Sequence, residues 1–501
     1  MTLARWTPPR LISARRPDQR TVEWLELFYD LVYVAALIQL GQSLVGDLTV
    51  RGVGRFVVLF TLLWWAWTGT TFLMNRVEVD DLVHRSLMIG QMLAIGALAV
   101  LVDGAFGAHS AGFALAYFFI RLTLVLMYAR VWWHIPRARQ LAQPFLVVYA
   151  IAAALWLVST VVPPPGRYWL WGVAFLIDVS WIVSPRMRRR VAYEYPPDEE
   201  HMAERYALFT IIVLGESFIK IFGAVADHGV TISTQVHGAL AFLIVAGLWW
   251  TYFDDVADSP IKSRSENVPK VALWTVLHLP MTMGLTAVGV GLGKLALSDI
   301  GEPMDASAAW LLIGALLLVL LSVAGLDMIT RNRHFGVTER DRLIPRFGAM
   351  VLLVLLGLAS SEMSATVFGV AVAAIVIGQI AVEVVVAMRA DQAVRVEVEE
   401  VMRSALADAR CEHLANLAGT RPKTAGCMQC IENGLVWVHL RFCSICGQVG
   451  CCDDSQGRHA SAHFLKIGHS TIRSMEPRED WAWCYTDRVG LRSVTGVSDS
   501  R

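Results

Sequence analysis

The sequence predicts an all-α polytopic membrane bundle joined to a small α+β zinc-binding domain. Three observations carry that prediction. Hydrophobic residues make up 55% of the 501 and charged residues only 17%, a balance that a water-soluble domain rarely tolerates. Apolar runs of about 20 residues, the length that crosses the hydrocarbon core, recur through the first 390 positions. All eight cysteines follow residue 410, which separates a thiol-free body from a thiol-rich tail. Net charge is zero, from 43 basic and 43 acidic side chains. The tail from Asp408 onward carries eleven Lys/Arg against ten Asp/Glu. Neither part has the basic surface that a nucleic-acid partner demands.

Residues 1–24 form a polar, Arg-rich segment without the short apolar core and cleavage site of a secretory signal. The membrane body is expected over 25–390, with the lipid bilayer as its surroundings. About twelve spans are read, near 27–45, 56–73, 86–102, 111–129, 144–162, 168–184, 206–225, 236–254, 271–293, 308–326, 347–361 and 364–387. The last two are close enough in sequence to form a re-entrant hairpin instead. Basic residues concentrate on the cytoplasmic side of membrane proteins. Arg5, Arg10, Arg15, Arg16 and Arg20 together with the even-numbered loops hold 23 Lys/Arg, whereas the odd-numbered loops hold only Arg51, Arg55, Arg167 and Lys294. Both termini are therefore expected in the cytoplasm, in a multi-pass protein of the plasma (inner) membrane. Residues 391–408, with Glu397, Glu399, Glu400 and Arg403, are expected to extend the last helix as a linker. The tail domain follows over 409–490, and 491–501 form a disordered end.

Similar segments recur at wide spacing. Glu23-x3-Leu27-Phe28 opens the first span and Glu204-x3-Leu208-Phe209 the seventh; Trp64-Trp65 in the second has a counterpart in Trp249-Trp250 of the eighth. A 6+6 parallel repeat, a plan used by many transporters, stands beside chance recurrence as the explanation.

Several charges lie inside the spans. A charge at the bilayer centre costs roughly 2.5–3.5 kcal/mol on insertion scales, so such residues face an interior or an aqueous path. Glu26 and Asp30 are four apart on one face of the first helix, and Glu216 and Lys220 four apart on the seventh. Arg121 lies midway along the fourth span, Asp178 along the sixth, and His278-Leu-Pro280 interrupts the ninth. One reading is an ion, proton or solute pathway built by the first and seventh helices, since two like charges on one face suit proton or cation handling. The other is a set of buried ion pairs, Glu216 with Lys220 and Arg121 with Asp178, that fix helix packing.

The same residues carry a resemblance. Glu26-Leu-Phe-Tyr-Asp-Leu-Val-Tyr-Val34 and Ile212-Val-Leu-Gly-Glu-Ser217 are similar to two blocks of the bacterial low temperature requirement A (LtrA) family. The resemblance covers roughly 20–390. It implies a polytopic membrane protein and leaves the substrate open, because the family is named for a growth phenotype.

In the tail the ligand-type residues are Cys411, His413, Cys427, Cys430, Cys443, Cys446, Cys451, Cys452, His459, His463, His469 and Cys484. Cys-x2-Cys pairs let two thiolates bind one tetrahedral Zn2+ from a tight turn, and histidines four apart share a helix face. Twelve such residues suffice for two or three zinc ions. A disulfide scaffold would need an oxidising compartment and would leave the spaced histidines unexplained.

Order and spacing resemble the UBP-type zinc finger over about 411–490, with Leu440-Arg-Phe-Cys443, Gly447-Gln-Val-Gly450, Gly468-His469 and Trp481-Ala-Trp-Cys-Tyr485 as flanking text. The resemblance implies one site from Cys427, Cys430, Cys451 (or Cys452) and His459, and a second from Cys443, Cys446, His463 and His469. It implies a third from Cys411, His413 and Cys484, with Asp487 where family members often have Cys. Ubiquitin-binding members close a pocket on a free Gly-Gly carboxylate; Trp483 and Tyr485 match its aromatic walls. The pocket arginine falls here in Cys451-Cys-Asp-Asp454, and negative charge there repels a carboxylate. A protein or peptide C-terminus is the partner class the resemblance implies, with ubiquitin disfavoured. No catalytic Cys or Ser box, nucleotide loop or HExxH is present, so no enzyme is expected. Two functions remain: an ion or solute transporter or channel-like protein with a cytoplasmic finger as regulator, or a membrane-anchored interaction module.

Overall fold

The computed structural model of the protein describes residues 8–11, 22–79, 81–184, 187, 195, 197–254, 268–330, 338–407, 411–415, 417, 420–477 and 479–492. The chain divides into two units, 1–388 and 389–501.

The first unit is helical, as a chain in lipid must be when every backbone donor needs an internal partner. Its long helices are α1 (Trp24–Gly46), α2 (Val50–Met74), α3 (Leu82–Leu101), α4 (Ser110–His134), α5 (Arg139–Ser159), α6 (Gly166–Val183), α7 (Glu199–His228), α8 (Ile232–Phe253), α9 (Val268–Ala296), α10 (Ala306–Ile329), α11 (Glu339–Ala359) and α12 (Ala365–Ala407). Among the described residues eleven of these are long and apolar enough to cross a membrane. The expectation was twelve; the difference is α6, whose 18 residues include Arg167 and Asp178. α11 and α12 are each long enough to cross alone, which a re-entrant pair would not require. α9 runs unbroken through Pro280, where an interruption was expected; membrane helices tolerate proline when neighbours serve the freed backbone groups.

Short polar side chains start the helices. Thr49, Asp81, Asp198 and Asp305 accept hydrogen bonds from the backbone N–H groups of Gly52, His84, His201 and Ala308, which serves donors that no helix turn can reach. Glycines let helices approach. A Cβ on Gly284 of α9 would lie 2.8 Å from Val319 and 3.0 Å from the Ala315 carbonyl of α10, and one on Gly291 2.8 Å from Leu312, the small-residue contact typical of membrane helices. Large side chains face outward at helix ends, among them Trp24, Trp133 and Trp169 at 87%, 71% and 73% exposure, as aromatic belts at a bilayer surface do. The two Trp pairs read as repeat signals occupy opposite environments: Trp64 and Trp65 are buried, Trp249 and Trp250 exposed. A short ladder, β1 (Arg10–Leu11) with β2 (Val77–Glu78), ties the N-terminal segment to the turn after α2.

Of the arginines counted as loop charge, Arg76, Arg167, Arg205, Arg342 and Arg346 are buried, the last three within helices α7 and α11. Removing them leaves the charge bias of the remaining loop residues strongly one-sided. Arg5, Arg15, Arg16 and Arg20 lie outside the described residues.

In the second unit α12 continues to Ala407. Then come α13 (Glu412–Ala415), α14 (Met428–Glu432) and α15 (His459–Ile467) around an antiparallel sheet of order β4-β3-β5-β6-β7, formed by β3 (Leu440–Cys443), β4 (Val449–Cys451), β5 (Thr471–Ser474), β6 (Trp481–Cys484) and β7 (Val489–Arg492). The sheet reaches residue 492, two residues into the stretch read as a disordered end; 493–501 lie outside the described residues. The apolar core is small. Cys411, Leu414, Ala482 and Cys484 form one cluster, and Cys427, Cys430 and Cys451 with Trp437 and Leu440 another. Cysteines occupy the positions that aliphatic side chains fill in larger domains, which leaves metal to supply stability.

Candidate membrane charge centres and candidate zinc centres

Among the described residues, charged side chains meet at four centres within the helical body, besides the Arg130–Asp81 pair at the start of α3. At the start of α1, Asp30 receives two hydrogen bonds from Arg205 of α7, Nη2 to Oδ1 at 2.6 Å and Nε to Oδ2 at 3.2 Å, and a third from Trp67 Nε1 at 2.7 Å. Arg205 also lies 3.1 Å from Glu26, and His201 lies 3.4 Å from it. Glu26 and Asp30, expected as two like charges on one helix face, have a guanidinium from the second turn of α7 between them.

Deeper in the bundle Arg121 of α4 meets Asp178 of α6 at 2.7 Å, with both side chains fully buried. Arg121 Nη2 donates to Tyr117 Oη at 2.8 Å, and Tyr117 Oη donates to the Leu62 carbonyl at 3.0 Å. The guanidinium lies over the Tyr117 and Tyr149 rings. Its Nε and Nη1 have no hydrogen-bond partner among the described residues.

Glu216 and Lys220 form a buried ion pair within α7. Gly41 of α1 lies directly against the Lys220 ammonium, and Gly289 of α9 against Ser217. His278 is fully hydrogen-bonded: its Nδ1 donates to the Trp274 carbonyl at 2.8 Å and its Nε2 accepts from Tyr252 Oη at 3.0 Å. That satisfied geometry suits a packed core histidine.

Sequence reasoning missed the fourth centre. Asp327 of α10 pairs with Arg342 at 2.8 Å and Arg346 at 3.4 Å, both on α11. Arg346 also pairs with Glu383 of α12 at 2.9 Å, and Gln379 donates to Glu383 at 3.0 Å. The available signal was the four-residue spacing of Arg342 with Arg346 and of Gln379 with Glu383.

In the tail three groups of four ligand atoms converge, each within 4.8 Å. The first is Cys427, Cys430, Cys451 and His459; the second Cys443, Cys446, His463 and His469; the third Cys411, His413, Cys484 and Asp487. Cys427 caps α14 and Cys430 lies one turn on. Gly447, at φ 75°, turns the chain directly after Cys446, and Gly468, at φ 80°, ends α15 so that His469 can turn back. Such left-handed positions favour glycine. The donor types and spacing fit tetrahedral zinc.

Cys452 lies outside all three groups. Successive strand residues point to opposite faces, so Cys451, the last residue of β4, turns toward His459, and Cys452 turns away toward Ser455 Oγ at 3.3 Å. Burial pushes the Cys430 thiol up to about 12 and the Cys411 thiol to about 11. Zinc must displace those protons when it binds.

Trp481 and Trp483 share one face of β6, with Tyr485 just beyond its end. Tyr485 stacks on Phe464 of α15 at 4.9 Å, and its hydroxyl lies 3.2 Å from Ser461 Oγ. Ser461 also donates to Asp453. Arg441 covers Trp481 at 4.6 Å and lies 3.7 Å from Glu479, which also accepts from Trp481 Nε1 at 3.0 Å. The aromatic face thus carries carboxylates at two places, and Arg441, over Trp481, is already paired.

Comparison with known proteins agrees with this division. The model of the family described as bacterial low temperature requirement A protein matches residues 21–388. The model of the zinc finger in ubiquitin-hydrolases and other proteins matches 427–493. An uncharacterized protein, RA0937, of Rhizobium meliloti (strain 1021) is 30% identical over 374 residues, covering 67% of this chain and 88% of that one. The solution NMR structure of protein RPA1320 from Rhodopseudomonas palustris is 45% identical over a match covering 17% of this chain and 82% of that one, with a TM-score of 0.16.

Proposed function

This chain belongs to the bacterial low temperature requirement A family as a multi-pass membrane protein with a UBP-type zinc finger, and from that premise we propose that the body moves an ion or small solute under control of the finger. The Arg121–Asp178 centre carries the reading. A fully buried guanidinium with two donors unserved by protein is costly in hydrocarbon and suits a position that waters or a passing ion visit. Charge centres at several depths along α1 and α7, the Asp30–Arg205 centre near their starts and the Glu216–Lys220 pair beyond, supply further stations. The loop charges favour cytoplasmic termini in the plasma membrane. The finger would then bind three zinc ions and offer the face of Trp483 and Tyr485 to a protein or peptide, with ubiquitin disfavoured by Asp453. We assign no catalytic role and no nucleic-acid partner.

The test is flux of protons, sodium, potassium and chloride in vesicles reconstituted with the full chain, its Asp178→Asn variant, its Asp30→Asn variant, or no protein. Flux in wild type that falls in the variants supports the proposal. Equal flux in all four overturns it and leaves the ion pairs as packing devices in an anchor for the finger.

A further inference from the structure

We propose that the Cys411–His413–Cys484–Asp487 group is an exchangeable zinc site, whose filling fastens the segment leaving α12 onto β6. The inference rests on the zinc reading of the finger and goes beyond it, because it separates one site from the other two.

The donor set is the first argument. The other two groups bind through three thiolates and an imidazole, or two thiolates and two imidazoles; this one has two thiolates, an imidazole and a carboxylate. Asp487 Oδ2 is the centre of its contacts, 2.8 Å from Cys411 Sγ, 2.9 Å from His413 Nδ1 and 3.5 Å from Cys484 Sγ. Oxygen is the harder donor, and zinc is borderline-soft and favours thiolate in closed structural sites.

Water access is the second. The His413 and Asp487 side chains are 46% and 39% exposed, whereas Cys427, Cys430 and Cys451 of the first group have no exposure. A ligand edge open to solvent admits a competing water or chelator, as closed structural zinc sites do not.

Topology is the third. Cys411 and His413 follow the end of α12 at Ala407 by only a few residues. Among the described residues of this arm, Leu414 enters the cluster with Ala482 and Cys484, and Leu417 packs beside it. A metal bridging Cys411 and His413 to Cys484 and Asp487 would join the arm to the end of β6 and the turn after it; without the metal the finger hangs on a longer tether.

The experiment uses the full chain purified in detergent with its zinc. Increasing nitrilotriacetate is applied, zinc per chain is counted by elemental analysis, and exposed thiols are alkylated and mapped by mass spectrometry. The expected result is loss of one zinc first, with Cys411 and Cys484 becoming reactive while Cys427, Cys430, Cys443, Cys446 and Cys451 stay protected. Asp487→Cys should retain that zinc at chelator concentrations that strip the wild type. Loss of all zinc in one step, protection of Cys411 and Cys484 to the last, or an Asp487→Cys variant no more retentive than wild type overturns the inference while leaving a zinc finger. A wild-type chain with no zinc overturns the zinc reading itself.

Discussion

Gly41 of α1 and Lys220 of α7 touch with no room for a side chain between them: a Cβ on Gly41 would overlap the Lys220 ammonium. The glycine therefore sets where the Glu216–Lys220 pair can sit. Gly41→Ala should push the ammonium off Glu216 and lower stability by about 1–3 kcal/mol, the usual cost of overpacking. Gly54, which has open space around its Cβ position, is the control. Gly54→Ala should be neutral or slightly stabilising, since alanine is the better helix former. Thermal unfolding in detergent separates the two; equal midpoints would show that Lys220 moves aside freely.

Arg205 stands between Glu26 and Asp30, and its loss takes the guanidinium partner from two buried carboxylates. Arg205→Met should destabilise by about 3–5 kcal/mol, the cost of breaking one side of a buried pair. Asp30→Asn made in the same chain should restore part of that loss, because it removes one of the two stranded charges. A double-mutant cycle on unfolding midpoints reads the coupling. Additive effects would mean that the guanidinium and the carboxylate do not interact.

Part of this architecture is legible in the sequence, for physical reasons that differ from centre to centre. Arg121 and Asp178 stand out because each interrupts a long apolar run, and Glu216 with Lys220 because they are spaced one helical turn apart. Arg205, Asp327, Arg342 and Arg346 lie at the ends of such runs, where hydropathy cannot distinguish a side chain reaching for water from one turned inward to a partner. Glu383 falls inside the last run, but its partner Arg346 lies 37 residues away. In the tail, spacing groups the ligands because Cys-x2-Cys turns and i, i+4 histidines are local geometry. The choice between Cys451 and Cys452 is not local. It depends on strand parity, which is set by Cys451 pairing with Leu440 of β3.

That parity has a direct consequence. Cys451→Ser should lose one zinc per chain, since Cys451 shares a site with Cys427, Cys430 and His459. Cys452→Ser should keep the full count, because Cys452 contacts Ser455 instead. Elemental zinc on the two purified variants decides it. A reversed result would place Cys452 in the site and put the β4 register out by one residue.

Asp453 accepts from Ser461, whose hydroxyl also lies beside Tyr485, so a carboxylate occupies one end of the aromatic face. A ligand ending in a free carboxylate meets like charge there, and Arg441 is already engaged by Glu479. The zinc-loaded full chain should therefore not bind a labelled peptide ending in a free Gly-Gly carboxylate. Asp453→Arg replaces repulsion with charge-assisted hydrogen bonds, worth about 1.5–3 kcal/mol each, and should create measurable binding. The same peptide with an amidated end should bind neither protein, since the amide presents no charge for the new arginine. Fluorescence polarisation reads all three cases. Binding of the free-carboxylate peptide by the wild type would show that Asp453 does not face the ligand, and the aromatic face would then accept carboxylate ends after all.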